Sequence, residues 1–427
     1  MKDIFKTILQ EFHERSLPEL VSRNYQLPDN DQIQTLIGLR RVGKTFLLYQ
    51  KIKELTLRGI PKETILFINY EDERLLNLKA EDLHLLLEAY FELYPENVSK
   101  KLYLFFDEIQ AAPSWHLFIK RLYEQKNLRI YITGSSSKLL SSELATQLRG
   151  RTQAHSIYPL SFSEFLKFKQ FEPGKNITYS RQRFPLKKLF TEYLEYGGYP
   201  DVTQRDNLLE KEAMLRNYLD LIIYKDIADR YKIRNTLLLK NLMKYIVTNT
   251  AKHLSLNAFY ESMKQDSLVS KDTVWEYFSY LEEIGFVYQI TKYSPSLKKQ
   301  YNAPKKTYIA DNGFKKIYGM NFSEDAGRIL ENMVFLELKR QQKELFYFKD
   351  KYECDFIIKE GKRITNAYQI CYHLNRENTE RELHGLNQAM ATLRIKNGAI
   401  LTFDQEKKLT IEEKTIPVIP VWKWLLV

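Results

Sequence analysis

The octapeptide Gly38-Leu39-Arg40-Arg41-Val42-Gly43-Lys44-Thr45 follows directly on the β-prone run QIQTLI and opens the helical stretch FLLYQKIKEL. Strand, G-x-x-x-x-G-K-T loop and helix together form a cradle for a nucleoside triphosphate. The two glycines permit a tight turn whose backbone N–H groups surround the β-phosphate. Lys44 reaches the β- and γ-phosphates, and the Thr45 hydroxyl coordinates Mg²⁺. Gly38, Arg40, Arg41, Val42, Gly43, Lys44, Thr45 and Phe46 are the expected nucleotide contacts, with ATP and Mg²⁺ as cofactors.

Leu102-Tyr103-Leu104-Phe105-Phe106-Asp107-Glu108-Ile109 is an apolar strand ending in two adjacent carboxylates, the pattern of a Walker B strand. Asp107 is expected in the Mg²⁺ shell, and Glu108 as the carboxylate that polarises the attacking water. Further strands in TILFINYEDERL and LRIYITGSSSKLL alternate with helices and predict a parallel sheet. The second of these ends at Thr133-Gly134-Ser135, where AAA+ proteins place a polar residue that senses the γ-phosphate; a plain Ser/Gly turn is the alternative for Thr133 and Ser135. Arg149 and Arg151 close the next helix, SSELATQLRGRTQ, at the place of an arginine finger that reaches into a neighbouring subunit; a solvated basic helix end is the competing reading.

These motifs resemble a widespread archaeal and bacterial family of AAA+-type ATPases that carry a C-terminal domain of uncharacterised function related to restriction endonucleases. The resemblance spans nearly the whole chain through GLRRVGKT, FINYEDERL, LFFDEIQ, ITGSSS, LRGR, YPLSFSEF, YGGYP, YKDIADR, YIADNG, ECDFII and QICY. It implies an α/β protein in four parts. They are an ATPase domain over 1–168, a helical lid over 169–235, a winged helix over 236–313 and a restriction-endonuclease-like domain over 314–427.

At 427 residues the chain is long enough for several cores. Its start lacks the apolar run and cleavage site of a signal peptide, no stretch approaches a membrane span, and Cys354 and Cys371 are too few for a disulfide framework; a cytoplasmic protein is expected. The 65 Lys and Arg against 54 Asp and Glu leave a formal charge of +11, which favours polyanions.

In the middle region three helices precede the strands FVYQITKY and KKTYIAD, the succession of a winged helix, with Ser270 a fitting N-cap for the third helix. The wing carries Lys292, Lys298, Lys299, Lys305 and Lys306 without one acid, which suits a phosphate backbone and makes DNA the expected partner. A protein-contact role for the wing stays open. Residues from 327 onward read as helix, three strands, helix and strand, the restriction-endonuclease core, in whose active members acids and a lysine converge on metal. Glu331 and Asp355 take two of those positions, but the third strand offers Gln369-Ile370-Cys371, so the expectation is a vestigial, inactive nuclease pocket.

The leading expectation is an ATP-hydrolysing ring of like subunits, a hexamer, acting on DNA. A nucleotide-dependent switch or scaffold that recruits a protein partner is the alternative.

Overall fold

The computed structural model describes residues 1–125, 127–134, 148, 150–175, 177–264, 269–318, 322–412 and 414–426. The chain forms two compact units, Met1–Tyr158 with Glu283–Gly285, and Pro159–Glu282 with Phe286–Val427. Among the described residues no helix is long and apolar enough to cross a membrane.

In the first unit, β1 (Ile33–Ile37), β2 (Ile65–Asn69), β3 (Leu102–Asp107), β4 (Leu128–Gly134) and β5 (Thr152–Ser156) make an all-parallel sheet in the order β2-β3-β4-β1-β5. A parallel sheet needs both faces covered, and β1 and β3 are buried along their whole length. The helices Lys2–Glu14, Leu85–Leu93 and Trp115–Tyr123 bring Phe5, Leu9, Leu86, Tyr90, Trp115 and Leu122 into one core with Leu104 and Phe106 of β3. The helix Lys44–Leu57 buries Leu47, Leu48, Ile52 and Leu55, three to four residues apart and so on one side. Because β4 lies between β1 and β3, the carboxyl ends of all three strands border a single crevice, where open α/β sheets bind ligands.

The second unit is organised by a nine-stranded mixed sheet. Its strands are β6 (Lys252–His253), β7 (Val287–Lys292), β8 (Lys306–Ile309), β9 (Glu344–Lys349), β10 (Glu353–Glu360), β11 (Arg363–Ile370), β12 (Asn397–Thr402), β13 (Lys407–Ile411) and β14 (Lys414–Pro420). The order is β13-β14-β12-β11-β10-β9-β7-β8-β6. β7 pairs in parallel with β9, Thr291 opposite Phe346, so one sheet runs across the expected boundary at 313/314 and the edge of β7 is satisfied by the strand that follows that boundary. Leu160, Phe162, Phe165 and Leu166 pack with Leu330, Phe335 and Trp422, which places 159–168 in the second unit.

Three of the sequence motifs interlock here. Asp311, buried in YIADNG, accepts hydrogen bonds from the backbone N–H groups of Gly198 and Gly313, each at 2.8 Å. The Gly198 carbonyl in turn accepts from Leu160 N at 2.7 Å, tying in YPLSFSEF. Burial pushes the Asp311 carboxyl up to about 6 against the pull of those two amides. Gly197 has φ 73° and ψ −159°, a region open almost only to glycine, and a Cβ there would stand 1.6 Å from an Asp311 oxygen. Gly197→Ala is expected to cost about 3 kcal/mol or more in the second unit, from strain and overpacking together. Gly361→Ala has positive φ but open space around it, so about 1 kcal/mol is expected. Thermal melts of the two variants should differ by several degrees, and equal midpoints would refute the interlock.

Candidate functional site

β1 delivers the chain to the crevice at Ile37, and Ile157 N donates to the Ile37 carbonyl at 2.7 Å. Gly38 lies beneath the Ile157 carbonyl, only 2.3 Å from where a Cβ would stand, so no larger residue fits at the start of the loop. The loop turns through two left-handed residues, Arg41 at φ 67° and Gly43 at φ 94°, before the helix begins at Lys44. The N–H groups at a helix start and the helix dipole favour an anion there. The Lys44 ammonium is held by the carbonyls of Gly38 (3.0 Å) and Leu39 (3.1 Å), and lies 3.6 Å from Glu108. Arg23, which the sequence did not single out, clamps the loop from behind through the carbonyls of Val42 (2.9 Å) and Tyr158 (3.1 Å). Arg40 pairs with Glu71 at 2.9 Å, Val42 is buried, and the Phe46 ring is half exposed.

Asp107 ends β3 with its carboxylate buried between two threonines. Thr133 donates to Oδ1 at 2.5 Å from β4, and Thr45 to Oδ2 at 2.8 Å from the loop. Burial raises this carboxyl to about 6, with Glu108 adding to the shift and the two hydroxyls and Lys44 opposing it. Glu108 adopts a left-handed backbone, φ 49°, with its N–H donating to Thr133 Oγ1 at 2.9 Å and its carboxylate accepting from Gln110 at 2.5 Å. Burial acts to raise the Glu108 carboxyl too, but Lys44, Gln110 and Arg40 outweigh it and hold it below its ordinary value. A buried carboxylate bonded by two neutral hydroxyls, one of them a threonine oxygen on the loop, suits a hard dication, and Mg²⁺ fits at Thr45 and Asp107.

Ser135 and Arg149 lie outside the described residues. Arg151 directly precedes β5, whose Thr152 lies opposite Ile33, so it sits at the amino end of the sheet while the loop leaves the carboxyl end. Five strand residues separate the two ends, about 16 Å. Its guanidinium lies over the Tyr123 ring at 5.4 Å and 3.8 Å from Glu124.

In the second unit Lys298 and Lys299 are exposed, Lys292 and Lys305 half-buried. Lys306 departs from expectation: β8 is buried throughout, and the Lys306 ammonium lies 3.1 Å from Glu331, 2.8 Å from Glu353 and 2.8 Å from Asp355. It is withdrawn from any phosphate backbone. Burial opposes its charge, but Asp355 and Glu331 hold its proton on well above the ordinary lysine value. Burial and Asp355 push Glu331 upward, against Lys306 and the Tyr308 hydroxyl that donates to it at 2.7 Å. Gln369 does not join this cluster; its amide donates to Glu382 at 2.6 Å. Among the described residues no group of three or more His, Cys, Asp or Glu is arranged to hold a metal ion, since Lys306 fills the centre of the acids. Glu353, one residue before Cys354 in ECDF, was legible as a neighbour of Asp355; the approach of Lys306 carried no local signal.

Residues 30–166 match the family model of an AAA domain, while 187–321 and 326–424 match two domains of unknown function. The uncharacterized protein MJ1544 of Methanocaldococcus jannaschii is 36% identical over 409 residues, covering 93% of this chain and 88% of the relative. An uncharacterized protein of Haemophilus influenzae is 33% identical over 365 residues, 84% and 88% of the two chains. Among solved structures, the Walker-type ATPase paby2304 of Pyrococcus abyssi is 15% identical with a TM-score of 0.42, over 75% of this chain and 96% of that one. The Aeropyrum pernix ORC1 protein, solved in complex with DNA, is 14% identical with a TM-score of 0.32, over 76% and 91%. Aligned with MJ1544 and the Haemophilus protein over most of its length, this chain belongs to the same family as those two relatives, and its residues 30–166, which hold the loop, β3 and β4, match an AAA domain.

Proposed function

We propose that the chain binds ATP with Mg²⁺ and hydrolyses it in a head-to-tail ring, and that the cycle acts on DNA held by the second unit. The observation that carries the hydrolytic reading is the convergence of Thr45 and Thr133 on Asp107, with Glu108 kept ionised beside Lys44.

In this reading the triphosphate draws the Lys44 ammonium off the carbonyls of Gly38 and Leu39 onto its β- and γ-oxygens. Mg²⁺, held by Thr45 and Asp107, would neutralise charge on the same phosphates. Glu108 orients a water toward the γ-phosphorus and accepts its proton, for which a carboxyl below its ordinary value is ionised in advance. Thr133 fixes both acids, one through the carboxylate and one through the backbone, so it positions the pair. Arg151 lies too far from its own loop to stabilise the phosphoryl group in cis. A head-to-tail contact would bring it, or Arg149, to a neighbour's nucleotide and close a ring. The DNA reading rests on the net charge of +11 and on the exposed Lys298 and Lys299 with Lys292 and Lys305 beside them.

Lys44→Ala is expected to abolish turnover, while Glu108→Gln keeps ATP bound and lowers turnover by two orders of magnitude or more, about 3 kcal/mol of barrier. Equilibrium nucleotide binding with single-turnover hydrolysis checks both, and ordinary turnover in either variant sinks the hydrolytic reading. For the ring, Lys44→Ala protein is mixed with protein carrying Arg149→Ala and Arg151→Ala. Some mixed interfaces then pair an intact loop with an intact arginine, so part of the activity should return. A mixture that forms mixed oligomers yet stays inactive would remove the trans arginine.

Alanine at Lys292, Lys298, Lys299 and Lys305 together should weaken duplex binding and flatten its log–log salt dependence by about 0.9 for each phosphate no longer neutralised. Lys306→Ala should leave the slope unchanged in whatever protein folds. An unaltered slope in the fourfold variant would favour the protein-partner alternative.

A further inference from the structure

The segment between β7 and β8 is anchored at both legs and exposed at its tip. Its amino leg continues the β7–β9 pairing, with Tyr293 N donating to the Tyr347 carbonyl at 2.7 Å and the Tyr293 ring edge-on to Phe346 at 5.5 Å. Its carboxyl leg is fixed where the Tyr347 hydroxyl donates to the Pro304 carbonyl at 2.5 Å, one residue before β8 is reached through Lys305. Across the projection the Gln300 amide donates to the Ser294 carbonyl at 2.5 Å. At its end stands the short helix Leu297–Asn302. Leu297 and Tyr301, four residues apart and so on one side of that helix, are 67% and 77% exposed. Lys298 and Lys299 lie between them, also exposed.

An anchored projection that presents an aliphatic and an aromatic side chain to solvent forgoes their burial, and its charge is of one sign: four cations and no acid from 292 to 305. That charge points to a polyanion with flat apolar faces on offer. Nucleic acid has those faces only where bases are unstacked, at a duplex end, a fork or a single strand.

We propose that this tip is a wedge for the junction between paired and unpaired DNA, Leu297 and Tyr301 covering the terminal base pair while Lys298 and Lys299 hold the adjoining phosphates. The proposal rests on the DNA reading above and narrows it from DNA in general to DNA with an open step. The contribution of stacking does not depend on salt, whereas that of the lysines does, so the two are separable.

The experiment uses the full-length protein, forked and fully paired duplexes of the same sequence, and 2-aminopurine placed at the fork. The wild-type protein is expected to prefer the fork and to raise the 2-aminopurine fluorescence on binding. Leu297→Ser with Tyr301→Ser should lower the preference for the fork about tenfold and remove the fluorescence rise, with the salt slope intact. Lys298→Ala with Lys299→Ala should instead weaken binding to both duplexes and reduce the slope by about 1.8. If the apolar variant binds DNA normally and still unstacks the probe base, the wedge is wrong and the DNA reading stands. If the wild-type protein binds neither duplex, the DNA reading fails and the wedge falls with it. If the apolar variant instead loses binding to phosphatidylserine vesicles while keeping its preference for the fork, the tip belongs to a lipid surface and the wedge is overturned.

Discussion

The first unit depends on a carboxylate placed where water scarcely reaches. Asp107 is almost wholly buried, and an ionised group in that position costs several kcal/mol unless it is compensated. The compensation comes from two threonine hydroxyls, one on the strand between the loop and Asp107, the other on the loop itself. The Thr133 contact depends on β4 being the neighbour of β3 on the side of β1, which sets that hydroxyl beside Asp107. Burial outweighs what the two neutral donors and Lys44 return, and with Glu108 adding to it the carboxyl is pushed up to about 6. The same deficit makes a dication at this spot favourable.

The second unit handles buried acids differently, and the contrast bears on function. Asp311 is satisfied by two backbone N–H groups whose glycines allow them close, and its role is to join three motifs. Glu331, Glu353 and Asp355 surround the Lys306 ammonium, so their cation is covalently part of the chain. Removing one partner from such a group leaves an uncompensated charge, which makes the cluster costly to dismantle and well suited to fixing a register. Asp107 in the first unit has only neutral hydroxyl partners, whereas the three acids of the second share an ammonium of the chain itself.

How far the sequence could be read followed from how local each signal was. The G-x-x-x-x-G-K-T loop and the Asp107-Glu108 strand each state their chemistry within a few residues, and the parallel sheet follows from the apolar runs between them. Gln110 and Arg23 carried no pattern; their roles exist only once a left-handed Glu108 and the Tyr158 carbonyl are in place. The extent of the nine-stranded sheet was not legible because a strand edge does not announce its partner. Nothing in FVYQITKY says that the strand pairs with ELFYFK, more than fifty residues on, across the expected boundary at 313/314. Lys306 was misassigned for a related reason: in a run of two lysines, composition cannot tell which belongs to the surface and which to the first buried position of a strand.

That misassignment has a structural consequence for the projection itself. Lys305 and Lys306 are adjacent, yet the period of two along a strand sends one toward solvent and the other into the three carboxylates. The ionic cluster therefore grips the residue at which the carboxyl leg of the β7–β8 segment enters β8, one residue after Lys305 and two after the carbonyl taken by Tyr347. The amino leg is held by the β7–β9 pairing a few residues away. On the wedge proposed above, a loop pinned at both feet would lose little entropy when its tip engages a ligand, so more of the interaction energy of Leu297 and Tyr301 would remain as affinity. The buried acids would then contribute to recognition without touching the ligand, by holding still the segment that does.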